Sequence, residues 1–179
     1  SPTVGAQLTK KAILAVAIAV VLMLIYISIR FDFRSGLAAV ICLAHDLFVM
    51  FAVYALLQIP IDQNIIAALL TILGYSINAT IIVFDRIREN KQKDTSACFS
   101  DTVNKSIHET LGRSINTTIT TLLTIGMIYI LGGDSIRDFA LPLIVGIVAG
   151  LFSSVGLSGV IWNALSKFIK PKNKEEKAK

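Results

Sequence analysis

Five apolar stretches, each about as long as a bilayer is thick, constrain the fold of this chain more than any other feature. They lie at residues 12–29, 36–57, 64–84, 114–131 and 139–168. A spanning helix needs about 20 apolar residues, and inside lipid it must satisfy its own backbone hydrogen bonds. The chain is 54% hydrophobic and only 16% charged, whereas soluble domains are nearer about 25% charged. We therefore predict an all-α, polytopic membrane helical bundle with five transmembrane helices.

Basic residues are divided unequally between the two ends of the predicted spans. One end carries most of them, in Arg30, Arg34, the loop of residues 86–113 and the tail of residues 169–179. The other end carries only Lys10, Lys11 and Arg137. Lys and Arg favour the cytoplasmic side, so we expect the N-terminus outside and the tail inside. The net charge of +5 is then typical of topology signals and lipid headgroup attraction rather than of nucleic-acid binding.

The only long connection between spans is the loop of residues 86–113. Apolar residues recur there every four positions, at Phe99, Val103, Ile107 and Leu111. This spacing predicts a short cytoplasmic amphipathic helix at about 94–112, lying either along the membrane interface or against the underside of the bundle. The predicted organisation has three parts: an N-terminal stub on the outer side (1–11), the bundle (12–168) and a basic cytoplasmic tail (169–179). A first span that enters from outside, without a signal-peptide layout, indicates that a segment upstream is missing.

The third span ends in an unusual mixture of polar and charged residues. Its sequence, GYSINATIIVFDRIREN, includes Gly74, Tyr75, Ser76, Asn78 and Thr80, followed by Asp85, Arg86, Arg88, Glu89 and Asn90. Polar groups inside a bilayer are costly and usually line a cavity, a helix interface or an ion path. This segment therefore indicates energy transduction across a membrane more than simple anchoring.

Two ionisable neighbours, His45 and Asp46, lie near the middle of the second span. A charged group at that depth costs about 2.5 to 3.5 kcal/mol. Because sequence neighbours do not face each other on a helix, we expect the two side chains to have different partners. Asp46 is either a proton-relay carboxylate or a partner in a helix-packing hydrogen bond.

The fourth span opens with Arg113, followed at helical spacing by Thr117, Thr120 and Thr124. Such a stripe should face protein or water, because lipid offers no hydrogen-bond partner. Threonines alone are typical of helix–helix contacts. Arg113 at the head of the stripe needs an anion or must extend to the interface, which leaves an ion pathway as the alternative.

Small residues fill the fifth span, at Gly146, Gly150, Ser153, Ser154, Gly156, Ser158 and Gly159. They predict a seam where helix backbones approach closely, preceded by Pro142 at a kink or a helix start. The chain has no GxSxG, HExxH or Walker loop, and its two histidines and two cysteines have no metal-site spacing. We therefore expect neither an enzyme nor a metal site.

These residues resemble one known family. GYSINATIIVFDRIREN is similar to the signature of SecF, the partner of SecD in bacterial protein export, whose typical form is GYSINDTIVVFDRIREN. Other segments resemble further SecF motifs: RFDFR (30–34), AHD (44–46), IAALLT (66–71), TLGRS (110–114), LGG (131–133) and PTVG (2–5). The resemblance covers nearly the whole chain. It implies a six-span subunit related to resistance-nodulation-division transporters, of which this chain matches the last five spans.

The resemblance implies a proton-motive-force-coupled auxiliary subunit that works with SecD to complete translocation of secreted polypeptides. Protons, or sodium ions as in some members, would be the coupling ion, with no other cofactor. The implied partners are SecD (or the SecD half of a fusion), the SecYEG channel, YajC, the unfolded secretory polypeptide and the bilayer of the bacterial inner membrane. Two alternatives stay open: a passive scaffold that holds SecD at the channel, and half of a small-molecule exporter.

One position departs from the family pattern. The family has an aspartate directly after the asparagine of the signature, whereas Ala79 follows Asn78 here. The resemblance makes that aspartate the proton carrier, opposite the arginine that corresponds to Arg113. The ion pathway implied for this chain comprises Asn78, Ala79, Arg113, Asp46, Thr117 and Thr120. Because alanine cannot titrate, either Asp46 or the SecD half carries the ions, or Ala79 is an introduced knock-out.

Overall fold

A computed structural model describes the backbone of residues 2–58 and 64–168, and within these ranges it contains helices and no strands. The helices are α1 (Pro2–Arg30), α2 (Phe33–Leu57), α3 (Asn64–Lys93), α4 (Phe99–Leu131), α5 (Asp134–Phe152) and α6 (Ser158–Phe168), with a π-helical turn at Ser153–Leu157. Because α5, the π turn and α6 are continuous, they form a single fifth span. Five segments are long and apolar enough to cross a membrane, which confirms the predicted helical membrane bundle.

The helices extend beyond the predicted spans at their polar ends. α1 begins at Pro2, so the predicted N-terminal stub is largely helical. α4 runs from Phe99 to Leu131 without a break, and the amphipathic segment predicted at 94–112 is therefore the first part of α4 rather than a separate element. The backbone hydrogen bonds of a helix form in water as well as in lipid. A helix can therefore continue past the end of its apolar segment into polar sequence. The predicted cytoplasmic tail of residues 169–179 lies outside the described residues.

α3 and the fifth span form the centre of the bundle. Within their apolar windows 44% and 50% of residues are buried, against 6% for α1 and 11% for α4. α2 and α4 each pack against both central spans but not against each other. α4 is therefore a peripheral helix, and most of its surface is open to lipid or to another protein.

Two apolar clusters fill the interior. One lies near the charged end of α3, where the ring of Trp162 packs edge-on against Phe84 at 4.8 Å and Phe99 at 5.5 Å between centroids. The other lies towards the opposite end, where a Cβ on Gly146 would lie only 2.5 Å from Cγ1 of Ile72. This contact fits the close-packing seam predicted for the fifth span. Pro142 is buried within α5 rather than at a helix start.

Candidate functional site

The charged end of α3 is tied to the ends of α1 and α4. Asp85 lies 3.6 Å from the guanidinium of Arg30, and Arg88 donates to the backbone carbonyl of Arg30 at 2.9 Å. On the other side, Nε of Arg86 donates to Glu109 at 2.6 Å. Exposed ion pairs of this kind are worth only about 0 to 1 kcal/mol each. Their main effect is to align the three helix ends at the predicted cytoplasmic face.

Asn90, the last residue of the signature, is the buried polar contact at this end. Its Nδ2 donates to Oγ of Ser106 at 2.9 Å and to Glu109 at 2.7 Å. Only 6% of Asn90 is exposed, so these bonds fix the register between α3 and α4. Sequence reasoning missed Ser106 and Glu109 because nothing in their spacing pairs them with a residue of the preceding helix.

Asp94 organises the turn that follows α3. One oxygen of its carboxylate accepts from the Ser96 hydroxyl at 2.7 Å and from the Ser96 and Ala97 amides at 3.1 Å each. These bonds, the Ser96 hydroxyl first and then the Ala97 amide, hold the pKa of Asp94 below its ordinary value. Lys91 donates to the Ala97 carbonyl at 2.9 Å. The turn is therefore ordered by its own polar groups, which explains why the helix predicted from residue 94 begins only at Phe99.

Within the membrane, α3 contacts α4 through Tyr75, whose hydroxyl donates to Oγ1 of Thr118 at 3.3 Å. Ala79 lies four residues after Tyr75, and Ser114 lies four residues before Thr118. In antiparallel helices these two positions are at similar depth, so residue 79 is level with the Arg113–Ser114 pair. The hydroxyl of Ser114 is buried and has no hydrogen-bond partner among the residues that the structure describes. Among the described residues, the structure thus leaves a polar group unpaired at the depth of Ala79.

Most of the predicted ion-pathway residues lie on the outside of the bundle. We call this set the seam face; it is separate from the packing seam of the fifth span and consists of Asn78, Ala79, Arg113, Thr117 and Thr120. All are exposed except Ala79, which is half-buried. The two threonine hydroxyls donate to carbonyls of their own helix, at 2.8 Å and 2.9 Å. Neither Asn78 nor Arg113 has a side-chain hydrogen bond or ion pair among the described residues. The amide and the guanidinium therefore need protein or water beyond this chain.

The buried face of α4 is a different stripe of hydroxyl residues. They repeat every four positions: Thr102, Ser106, Thr110, Ser114 and Thr118. This stripe was not predicted, although its regular spacing is visible in the sequence. Small hydroxyl side chains allow helices to approach closely in a membrane, which is how a peripheral helix packs tightly against α3 and α5.

Asp46 belongs to a separate polar cluster inside the bundle. Its carboxylate is fully buried, and its Oδ2 accepts from the hydroxyls of Ser76 on α3 and Ser153, at 2.8 Å for the latter. Nδ1 of His45 lies 3.0 Å from its Oδ1. The prediction that His45 and Asp46 have different partners is therefore wrong. Although adjacent Cβ atoms diverge on a helix, the imidazole is long enough to reach its neighbour's carboxylate.

The predicted pathway residues thus form two groups rather than one. Ser76 faces Asp46, whereas Asn78, two positions further along α3, lies on the nearly opposite face. Asp46 lies inside the bundle and the seam face lies outside it. Ser153 was predicted only as part of the packing seam, and no sequence signal pairs it with a residue 107 positions away.

Comparisons with known proteins identify a single family. The family model described as "Protein export membrane protein SecD/SecF, C-terminal" matches residues 1–167. The SecF translocase subunit of Alicyclobacillus acidocaldarius is 42% identical over 99% of this chain, which spans 59% of that relative. The SecDF subunit of Bacillus subtilis is 41% identical over 92% of this chain, which spans 23% of that relative.

Solved structures show the same helical arrangement. The crystal structure of SecDF from Thermus thermophilus, titled a translocon-associated membrane protein, matches with a TM-score of 0.88 and 41% identity. The match covers 93% of this chain and 23% of that one. A crystal structure of SecDF in a super-membrane-facing form matches with a TM-score of 0.79 and 42% identity, over 83% of this chain and 20% of that one.

Proposed function

The chain belongs to the SecD/SecF family of protein export membrane proteins, and from this premise we propose that it is a proton-motive-force-coupled auxiliary subunit of the Sec machinery. Together with SecD it completes the translocation of secreted polypeptides that pass through the SecYEG channel, with YajC as a further partner. It lies in the bacterial inner membrane with its N-terminus in the periplasm and its basic end in the cytoplasm. The names of the relatives support this role.

This proposal rests mainly on the seam face. It places an exposed guanidinium and an exposed amide on helices that cross a membrane. An unpaired charge on a membrane-spanning helix is costly, and a protein partner with a complementary group would remove this cost. A SecD subunit is that partner, and relatives named SecDF support the pairing. Covering the seam face with SecD also provides a polar route between the two bundles.

Ion coupling follows from the chemistry of the seam face. A carboxylate close to Arg113 pairs with it when deprotonated and releases it when protonated. Such a change alters the contact between two helical bundles and allows them to rock against each other, as in transporters built from repeats. Ala79 cannot supply this carboxylate, so in this chain it comes from the SecD side.

The test is gradient-dependent export into vesicles that contain SecD, SecYEG and either this chain or its Ala79→Asp variant. Ala79→Asn is the matched control, because it adds a similar polar volume that does not titrate. We expect Ala79→Asp to raise the response to a proton gradient, and we expect Arg113→Ala to abolish it. An Arg113→Ala variant with an unchanged response would contradict the proposed function.

A passive scaffold is the second candidate, and the absence of a titratable side chain at Ala79 favours it. A scaffold holds SecD at the channel without using the gradient. Dissipating the proton gradient separates the two candidates, because the export supported by a scaffold is unaltered. A fall in export on dissipation, restored when the gradient is re-established, excludes the scaffold.

A further inference from the structure

A second polar centre lies inside the bundle, apart from the seam face. It consists of Asp46, His45, Ser76 and Ser153, and we call it the Asp46 site. We propose that Asp46 binds a proton that enters through His45, and that Ser153 transmits the change to the fifth span. The use of this proton for export rests on the proposed function, whereas its binding does not.

Burial makes Asp46 unusual. Among the residues that the structure describes it is the only buried carboxylate, and only 1% of its side chain is accessible. An ionised carboxylate in such a place is stable only with strong donors around it. The hydroxyls of Ser76 and Ser153 both donate to Oδ2. A proton on Asp46 removes the charge that these donors stabilise, so protonation weakens the bonds that link Asp46 to α3 and to the fifth span.

His45 connects the buried carboxylate to the surface of the bundle. Its Nδ1 contacts Asp46, while 33% of its side chain is exposed. The ring lies 6.0 Å from that of Phe152, a residue on the outside of the fifth span. A proton that binds Nε2 therefore allows the Nδ1 proton to move to Oδ1 of Asp46. The Nε2–H and Oδ1–H bonds form and the Nδ1–H bond breaks, which leaves a neutral imidazole beside a carboxylic acid.

The donor pattern suits a proton better than a metal cation. Cations such as Ca²⁺ take about six to eight oxygen ligands, whereas here two hydroxyls already donate to the carboxylate. The Ser153 carbonyl, a further candidate ligand, accepts from the thiol of Cys42 at 3.7 Å. Titratable neighbours of Asp46 within the described residues are His45 and Cys42, both on α2. Among the described residues, α3 and the fifth span contribute the hydroxyls of Ser76 and Ser153 to Asp46, and no charged side chain of α1, α3 or the fifth span pairs with it.

Ser153 couples the site to the fifth span because it is the first residue of the π turn. Its hydroxyl is 2.8 Å from Asp46 and 3.2 Å from the carbonyl of Gly150. Hydrogen bonds to a charged acceptor are about twice as strong as neutral ones, so protonation of Asp46 favours the Gly150 carbonyl. Single π turns occur frequently at functional sites. Proton uptake on α2 thereby changes a contact made by the first residue of the π turn.

The test is infrared difference spectroscopy of the SecD-containing assembly across pH, comparing the native chain with Asp46→Asn. We expect a protonated-carboxyl band that shifts in heavy water and is lost in Asp46→Asn. We expect Ser153→Ala to shift the pH at which the band appears. Ser154→Ala is the matched control, because its hydroxyl lies in the same π turn but bonds to the carbonyl of Leu151, and we expect it to leave the band unchanged.

His45→Gln provides a second variant that keeps a polar side chain at the entrance. We expect it to retain the band but to slow its exchange with heavy water, because the proton has lost its carrier. A native assembly with no band lost in Asp46→Asn would overturn the proposal, as would unchanged exchange in His45→Gln. Neither result depends on export, so a failure of the proposed function is distinguishable from a failure of this site.

Discussion

Gly146→Ala should destabilise the bundle even though alanine is the better helix former. Replacing a helical glycine by alanine ordinarily gains about 1 kcal/mol. At Gly146 the new methyl group would lie 2.5 Å from Cγ1 and 2.9 Å from Cγ2 of Ile72. Ile72 is 1% exposed within an apolar cluster, so it has little room to move. Overpacking of this kind costs about 1 to 3 kcal/mol.

Gly126→Ala is the matched control, because apart from the neighbouring backbone of its own helix no atom of the described residues lies within 4 Å of a Cβ at Gly126. Both variants gain the same helix propensity, so the difference between them isolates the steric cost. We expect Gly146→Ala to be less stable than Gly126→Ala by about 1 to 3 kcal/mol, which is roughly 5-fold to 150-fold in the unfolding equilibrium. Denaturant unfolding in detergent, followed by the fluorescence of the single tryptophan, Trp162, measures this difference. Equal stability of the two variants would refute the close approach of α3 and α5.

Two further predictions concern contacts of α3 and of the turn after it. Tyr75→Phe removes the bond to Thr118 and should cost about 0.6 kcal/mol, the average for hydrogen bonds between membrane helices; a loss several times larger in the same unfolding assay would contradict this. The pKa of Asp94 is held below the ordinary value of 3.8, so its contribution to the turn is complete above that value and is lost as pH falls through the lower, folded-state value. Hydrogen exchange should show Ser96 and Ala97 amides losing protection in that acidic range, whereas in Asp94→Asn their protection should not change there.

The membrane spans were predictable because they depend on composition alone. Each apolar stretch can be recognised without knowing its neighbours, and all five appear as helices. The ends were less predictable. α3 continues to Lys93 and α4 begins at Phe99, because the helical backbone continues into polar sequence until the Asp94 turn provides alternative hydrogen bonds.

The polar contacts were likewise predictable only in part. Arg113 is exposed on the surface of the bundle, whereas the sequence predicted only that its stripe faces protein or water. The partners of Asp46 could not be predicted, since Ser153 lies 107 residues away and a serine in a row of small residues carries no sign of a specific bond. The π turn at Ser153 was also missed, because its sequence, SSVGL, is compatible with an ordinary helix.

The most direct test of the central claim is whether the seam face contacts SecD in the membrane. A photo-activatable amino acid at Thr120 samples the seam face, while the same group at Ile29, which is 81% exposed on α1, samples a surface without the polar stripe. We predict that the probe at Thr120 cross-links to SecD and that the probe at Ile29 does not. Cross-linking of SecD at Ile29 with none at Thr120 would contradict the claim that SecD covers the seam face.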